Sequence, residues 1–453
     1  MRTSANWTVQ KAKRIELFME DYCPPRVRLR GKPKLSQQDS AQLQKDFDDF
    51  RHGLPRPLEP RVLSTYGIDL QSEYGGLPVK NPFGKASGQL SLAAHQVEKD
   101  AVAGLGFVIL KTVIAQDSQG EQSMWEWAIP ETRMTVERIR GRGGEEGWTV
   151  TWKGRGWYNT LEAYRDFFDQ ALAIGAGPGM LIVPSVKYHL PTPEEDFWKE
   201  DEYVFTTRLL LGPWKKHWPA LALPLEKDFS PTLAGSGRAA QQAKILEWLA
   251  KAPALIHAVE PGKVRVGLKM FNALFEDDFQ LRMLNAVHVA SGESQPEFLI
   301  YANRLFDPNR PYLDKVGVAY GGPDLSDRNL SVLEKFLAAR FASHAKREFL
   351  PVSATGDIHS GRIAAEYLLR GCSTFQMHTI FQLPDSEYAM NSGGKAEKAL
   401  HLLLFHPEEG LIAWLLHLHA AFGWKSGMRV LEMAEWCRDH WPDVEAQFAC
   451  DSR

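Results

Sequence analysis

Cysteine is scarce and scattered: the chain has four, Cys23, Cys372, Cys437 and Cys450, with no C-x-x-C spacing. That excludes a disulfide framework and a thiolate zinc site, and it favours a reducing compartment. No run of about 18 apolar residues occurs, so nothing reads as a transmembrane helix. Lysine and arginine form no long block and the formal net charge is -3. A nucleic-acid partner is therefore not expected, because such binding is dominated by phosphate neutralisation. The start, MRTSANWTVQKAKRIELFMED, lacks the apolar core of a signal peptide. The expectation is a cytoplasmic protein that acts on a small molecule.

What is present is the composition of a globular enzyme, 44% apolar and 24% charged over 453 residues. That length exceeds what one compact core needs, so a barrel of ordinary size with terminal additions is the natural expectation. Residues 1–75 are polar and proline-dotted and read as an N-terminal extension, with helical patterns at Ala12 to Tyr22 and Ser40 to Arg51. From residue 76 short apolar runs alternate with helical patterns, which marks β-α units and a parallel sheet. The runs lie near 83–87, 106–113, 179–186, 220–226, 264–270, 297–303, 349–355 and 374–381. Eight such units make an α/β protein of the (β/α)8 type, a TIM barrel, over residues 76–385. A doubly wound open sheet, the rival, usually has fewer strands.

Insertions are expected at 117–153, where Met134 to Lys153 reads as a β-hairpin around a glycine-rich turn, and at 187–219, rich in tryptophan and charge. Residues 386–453 read as a helical C-terminal extension. Within it His417 and His419 lack a nearby carboxylate and read as packing residues, so no metal site is expected.

Barrel enzymes place their chemistry where strands end. The first strand ends in Ala86, Ser87 and Gly88, small enough to let a flat ring approach the backbone. Lys111 and Thr112 close the second strand, and Lys269 lies in the fifth. Two lysines aimed at one mouth suit an anion or an electron-rich heterocycle. Positive charge near the N1 and C2 carbonyl of a flavin stabilises its anionic reduced state. The sixth strand ends in Asn303. Gly321 and Gly322, then Gly356 and Asp357, then His378 and Thr379, occupy the loops where such barrels bind phosphate. The loop after the fourth strand, Lys227 to Thr232, holds Ser230 before a proline, which fixes it in an extended conformation.

These features, in this order from Asn81 to Thr379, resemble the dihydroorotate dehydrogenases. The shared elements are the N-P…A-S-G loop at Asn81 to Gly88, Lys111, the loop Gly156 to Asn159, Ser230-Pro231, Lys269, Asn303, the glycine loops, and Gly371 to Thr379. The resemblance implies flavin mononucleotide (FMN) held by Ala86, Ser87, Gly88, Lys111, Thr112, Lys269, Asn303, Gly321, Gly322, Gly356, Asp357, His378 and Thr379. It implies a substrate facing Lys153, Asn159, Lys227, Thr232 and Asn303. Ser230 would remove a proton, with Lys111 also in the reacting group, and a homodimer is the family's usual state.

Three asparagines of the family's substrate pocket are changed. Lys227 and Thr232 stand at the ends of its N-x-S-x-P-N loop, and Lys153 replaces another. The expected function is thus a flavoprotein oxidoreductase, a CH-CH or related dehydrogenase or reductase, for a small cyclic or amide-bearing substrate, with Lys153 and Lys227 favouring an anionic one. An authentic dihydroorotate dehydrogenase is the alternative, and a flavin-free barrel lyase or binding protein a third. The amphipathic segment Lys11 to Tyr22 resembles the quinone-binding extension of the membrane-linked branch, but a plain helix is the simpler reading.

Overall fold

A computed structural model of the protein describes residues 24–153, 156–192, 194–229, 242–272, 276–312, 315–343 and 349–450. The helical pattern expected at Ala12 to Tyr22 lies outside the described residues, as do Ser230 and Thr232. In chain order the first elements are α1 (Gln37–Asp49), α2 (Leu58–Tyr66), the hairpin β1 (Ser72–Tyr74) and β2 (Leu77–Val79), β3 (Phe83–Lys85), α3 (Ala94–Ala103), β4 (Phe107–Ile109) and β5 (Val113–Ile114). Next come the hairpin β6 (Met134–Arg140) and β7 (Glu146–Trp152), α4 (Leu161–Ala176), β8 (Leu181–Val183), β9 (Ser185–Lys187), α5 (Glu200–His217) and β10 (Leu223–Asp228). They are followed by α6 (Gln242–His257), β11 (Val264–Phe271), α7 (Asp277–Val289), β12 (Phe298–Asn303), the hairpin β13 (Leu305–Tyr312) and β14 (Lys315–Tyr320), and α8 (Pro323–Ala342). The last are β15 (Val352–Thr355), α9 (Gly361–Leu368), β16 (Cys372–Met377), α10 (Lys395–Phe405), α11 (Leu411–Phe422), α12 (Val430–Asp439) and α13 (Trp441–Phe448).

The main sheet runs β5-β9-β10-β11-β12-β15-β16-β3-β4-β8, and every pairing in it is parallel. The two ends of this order are halves of the same two strands. β4 and β5 flank Leu110 to Thr112, and β8 and β9 flank Pro184, which has no N–H to give a ladder. Rejoining them leaves eight strands in a closed ring, the (β/α)8 barrel. All eight expected strands are present. They read as continuous apolar runs because a parallel strand in a barrel is buried on both faces.

The helices close a second ring around the first. α3, α4, α5, α6, α7, α8, α9 and α10 each touch the next, and α10 returns to α3. Two expectations change here. The stretch 187–219 is not an insertion but contains α5, the third helix of the ring. α5 has acids in its first turn, bases in its last, and Tyr203, Leu210, Leu211 and Trp214 turned inward, so its tryptophan and charge are those of an amphipathic helix. Likewise α10, within the stretch read as a terminal extension, is the helix that completes the ring. The hairpin β13–β14 carries no clear signal in its sequence, Leu-Phe-Asp-Pro-Asn-Arg-Pro-Tyr, and was not expected.

The β1–β2 hairpin closes the N-terminal end of the barrel. Its Gly75-Gly76 turn has both φ values positive, at 58° and 76°, as a two-residue hairpin turn requires. Tyr74 stacks on Phe107 at 4.7 Å and meets Phe298 edge-on at 5.1 Å, filling the barrel floor with Ile109, Val183 and Ile300. Room for the Phe298 ring comes from Gly267, where an added Cβ would lie 2.2 Å from it.

Outside the ring, residues 26–34 form a strap over α8 and α9. The Arg28 guanidinium bonds Glu366 at 2.8 Å and also reaches Asp327. The backbone N–H groups of Arg26 and Val27 donate to Glu334 at 2.8 and 3.2 Å. Val27 forms an antiparallel bridge to Ala449. No helix among the described residues is long and apolar enough to cross a membrane.

Candidate active site

Side chains alternate along a strand, so phase decides which face the barrel interior. On β10, Glu226 and Asp228 face inward. Glu226 is fully buried and receives Lys269 of β11 at 3.0 Å, Ser185 at 3.3 Å, Tyr74 at 3.1 Å and Gln376 at 3.0 Å. The Lys269 ammonium is thereby neutralised from below. Above it, the Thr112 hydroxyl lies 2.8 Å from Ser87, 3.0 Å from Ser185 and 3.5 Å from Asp228. The Lys187 ammonium lies 3.9 Å from Asp228 and 4.6 Å from the Trp127 ring.

Lys111 sits among these groups, 4% exposed, and its ammonium makes no hydrogen bond or ion pair with the described residues. Burial pushes its pKa down to about 7. Asp228 opposes that shift, while Lys187 and Lys269 add to it. A buried ammonium without a partner is costly, so the site is arranged for an acceptor that Lys111 would meet.

Lys227 does not join this group. Out of phase with Glu226, it packs toward the helix layer, fully buried, with its ammonium 4.7 Å from the Phe229 ring, 6.0 Å from Tyr188 and 3.3 Å from the Asp228 carbonyl. Burial first, and then Lys187, lowers its pKa to about 7. Lys153 is half-buried at the end of β7, and Asn159 is exposed just before Thr160, which caps α4 by accepting from the Ala163 N–H at 3.1 Å. Asn303 is half-buried. Its carbonyl accepts from the Asn272 side chain at 2.8 Å, while its own side-chain amide makes no bond among the described residues.

Across the mouth, the glycine loops are already engaged. The Gly321 N–H donates to Thr149 Oγ1 of β7 at 3.0 Å. Gly322 (φ 102°) lies under the same hairpin, where an added Cβ would be 2.6 Å from Ile139. At Gly356 (φ 122°) a Cβ would meet the Asn329 amide at 2.7 Å, and the Gly356 carbonyl accepts from Tyr367 at 3.0 Å. Asp357 adopts φ 51°. Its carboxylate accepts from Ser326 at 3.4 Å and pairs with His359 at 3.2 Å. Burial works against a charged His359, but Asp357 outweighs it and the pKa rises to about 9.

His378 closes this side. Its ring lies against Gly88, where a Cβ would be 2.5 Å away, and 4.9 Å from the Trp152 ring. Burial, then Arg304 and nearby lysines, hold its pKa well below the usual range. Both ring nitrogens are shielded and make no hydrogen bond with the described residues. Arg304 stacks 4.1 Å over Trp152 and donates to the Ala319 carbonyl at 3.0 Å. Ala86 is buried and Thr379 half-buried at the entry to the turn after β16.

The arrangement meets the demands of a flavin at one end and not at the other. Lys111, with Ser87, Thr112 and Lys269, offers the cation and hydroxyls that suit a flat, electron-rich ring. Gly321 does not offer its N–H to a phosphate, since Thr149 has it, and Asp357 puts a carboxylate in the neighbouring loop. Sequence reasoning missed Ser185, Lys187, Glu226 and Asp228. The signal was there, as polar residues at every second position of otherwise apolar strands.

Fold and mouth together define a (β/α)8 barrel with a lysine-rich polar site at the C-terminal strand ends. No family model matches the chain, and no curated protein does. Among solved structures it is similar to dihydroorotate dehydrogenase of Eimeria tenella. The complex with ferulenol is 12% identical, with a TM-score of 0.48 over 89% of this chain and 95% of that one. The ligand-free form is also 12% identical, with a TM-score of 0.43 over 82% and 89%.

Proposed function

We propose that the protein is an oxidoreductase of the dihydroorotate dehydrogenase type, moving a hydride between a small cyclic or amide-bearing substrate and FMN. The observation that carries this reading is the buried, unpartnered ammonium of Lys111 beside Lys269 and the Ser87–Thr112–Ser185 hydroxyls. FMN, when bound, supplies the hydride acceptor. Ala86, Ser87, Lys111, Thr112 and Lys269 would hold its ring end. Gly356 and Thr379 are the expected residues left for its phosphate, with Arg304 bringing positive charge nearby.

The chain's own groups then have distinct tasks. Lys111, near neutrality, donates to an acceptor on the ring or substrate. Glu226 holds the Lys269 ammonium in place. Ser230 is the residue the family resemblance assigns to proton removal, and a serine needs a neighbour to take its proton. Asp228, two residues earlier and facing the mouth, is a carboxylate able to do so. Asn303 presents an amide suited to an amide-bearing substrate. The occupied Gly321 favours a second reading, a barrel lyase or binding protein without a phosphate-bearing cofactor.

Purified protein tests both. The flavin reading expects a yellow protein with an absorption band near about 450 nm, or quenching of FMN fluorescence on mixing. A colourless chain that leaves FMN fluorescence unchanged supports the second reading. Bleaching of the bound flavin by dihydroorotate would identify that compound as a substrate, and failure to bleach would direct the search to other cyclic amides.

A further inference from the structure

Away from the barrel mouth, the strap and the C-terminal helices border an open-sided cavity of about 530 Å³. Arg28, Arg30, Lys32 and Lys34 line one side of it, and none of the described residues lining it is acidic. Arg28 is neutralised by Glu366 and Asp327, and Lys32 pairs with Glu408. Arg30 and Lys34 are exposed and form no ion pair with the described residues, so two cations at the cavity stand uncompensated.

The other side supplies a neutral imidazole and an aromatic floor. The Lys34 N–H donates to His417 Nδ1 at 3.2 Å, which leaves the proton of the neutral ring on Nε2. Partial burial lowers the His417 pKa and keeps that ring neutral. Trp414, 1% exposed, lines the same cavity, and its buried indole N–H has no acceptor among the described residues. Trp414 stands edge-on to His417 at 5.6 Å, and His417 lies 6.1 Å from Phe448.

We propose that this cavity is a second binding site, for a small soluble oxyanion such as a phosphate ester, distinct from the barrel mouth. Unpaired arginine and lysine supply the attraction, the arginine with a planar fork that matches phosphate oxygens. The imidazole N–H adds a directed neutral donor, and the aromatic rings accept an organic body of modest size. The concave shape suits a free molecule rather than a flat surface.

Calorimetric titration of the full chain with pyrophosphate at low salt tests this. Saturable binding of one equivalent is expected, weakened about tenfold or more, as loss of charge-assisted bonds implies, in the double variant Arg30→Ala, Lys34→Ala. Both side chains are exposed and unpaired, so the fold stays intact. Lys111→Ala, in the barrel mouth, leaves the titration unchanged. Absence of binding by the native chain, equal affinity in the double variant, or loss of binding in Lys111→Ala overturns the proposal.

Discussion

The two sides of the barrel mouth are built on opposite plans. Around β4, β9, β10 and β11 the strands end in lysines, carboxylates and hydroxyls, and the Lys111 ammonium has no bond among the described residues. Around β12, β15 and β16 part of the bonding capacity is met by the protein itself: Thr149 takes the Gly321 N–H and His359 pairs with the Asp357 carboxylate. Unmet bonding capacity marks where a ligand belongs, and met capacity marks where the chain has substituted for one. Among the described residues the exceptions on that side are His378, with both ring nitrogens unbonded, and the side-chain amide of Asn303.

The contrast can be broken most forcefully at its base. Glu226→Gln removes one member of a buried ion pair and leaves Lys269 uncompensated, at an expected cost of about 3–5 kcal/mol. Denaturant unfolding reads this directly, and a loss below about 1 kcal/mol would show that the pair does not anchor the open side. Next, Lys111→Ala is expected to weaken FMN about 10- to 100-fold, the worth of one hydrogen bond from a charged group. Fluorescence quenching measures it, and unchanged affinity would remove Lys111 from the ring end.

A pH series sharpens the same point. The Lys111 pKa falls from 10.5 in the unfolded chain to about 7 in the fold, so between those values the unfolded chain binds more protons. Its contribution to stability therefore grows as pH rises through that window and is complete above 10.5. Lys111→Met should lessen the rise, seen in unfolding midpoints at both ends of the window, with Lys227, lowered to about the same value, supplying the remainder.

On the closed side the effects are smaller. Thr149→Val strands the Gly321 N–H and should cost about 1–2 kcal/mol, while a neutral result would mean that water replaces the hydroxyl easily. The smallest effect concerns His359. Its raised pKa gives stability that is full below 6.5 and lost as pH rises through about 9. Asp357→Asn should bring the imidazole titration back down, followed by NMR, with little change in midpoint at neutral pH.

Much of the barrel was legible because parallel strands buried on both faces leave apolar runs that polar helices cannot imitate. Lys111 and Lys269 stood out for the same reason, as lone charges in such runs, and the fold buries both among the polar groups of the barrel mouth. Lys227 misled because neighbouring residues on a strand face opposite ways. Glu226 is in phase with Lys269 across the β10–β11 ladder and Lys227 is not. A count of phase from the buried glycines would have separated them. Thr149 taking the Gly321 N–H could not be read at all, since it depends on where the β6–β7 hairpin folds back. α5 was misassigned because its amphipathic face was weighed as composition rather than as a period, and α10, although read as helical, was placed outside the barrel because the last strand was taken as its end.

The strap has a consequence for the order of assembly. Arg28 is made early, yet its partners Asp327 and Glu366, and the Ala449 backbone that bridges Val27, are made late. On a growing chain the strap therefore has no place to dock until the barrel is all but finished. Closing so long a loop is entropically unfavourable and contributes to slow folding. The strap acts as a latch that fastens last, so hydrogen exchange after refolding should show the amides of Val27 and Leu29 gaining protection later than those of β11.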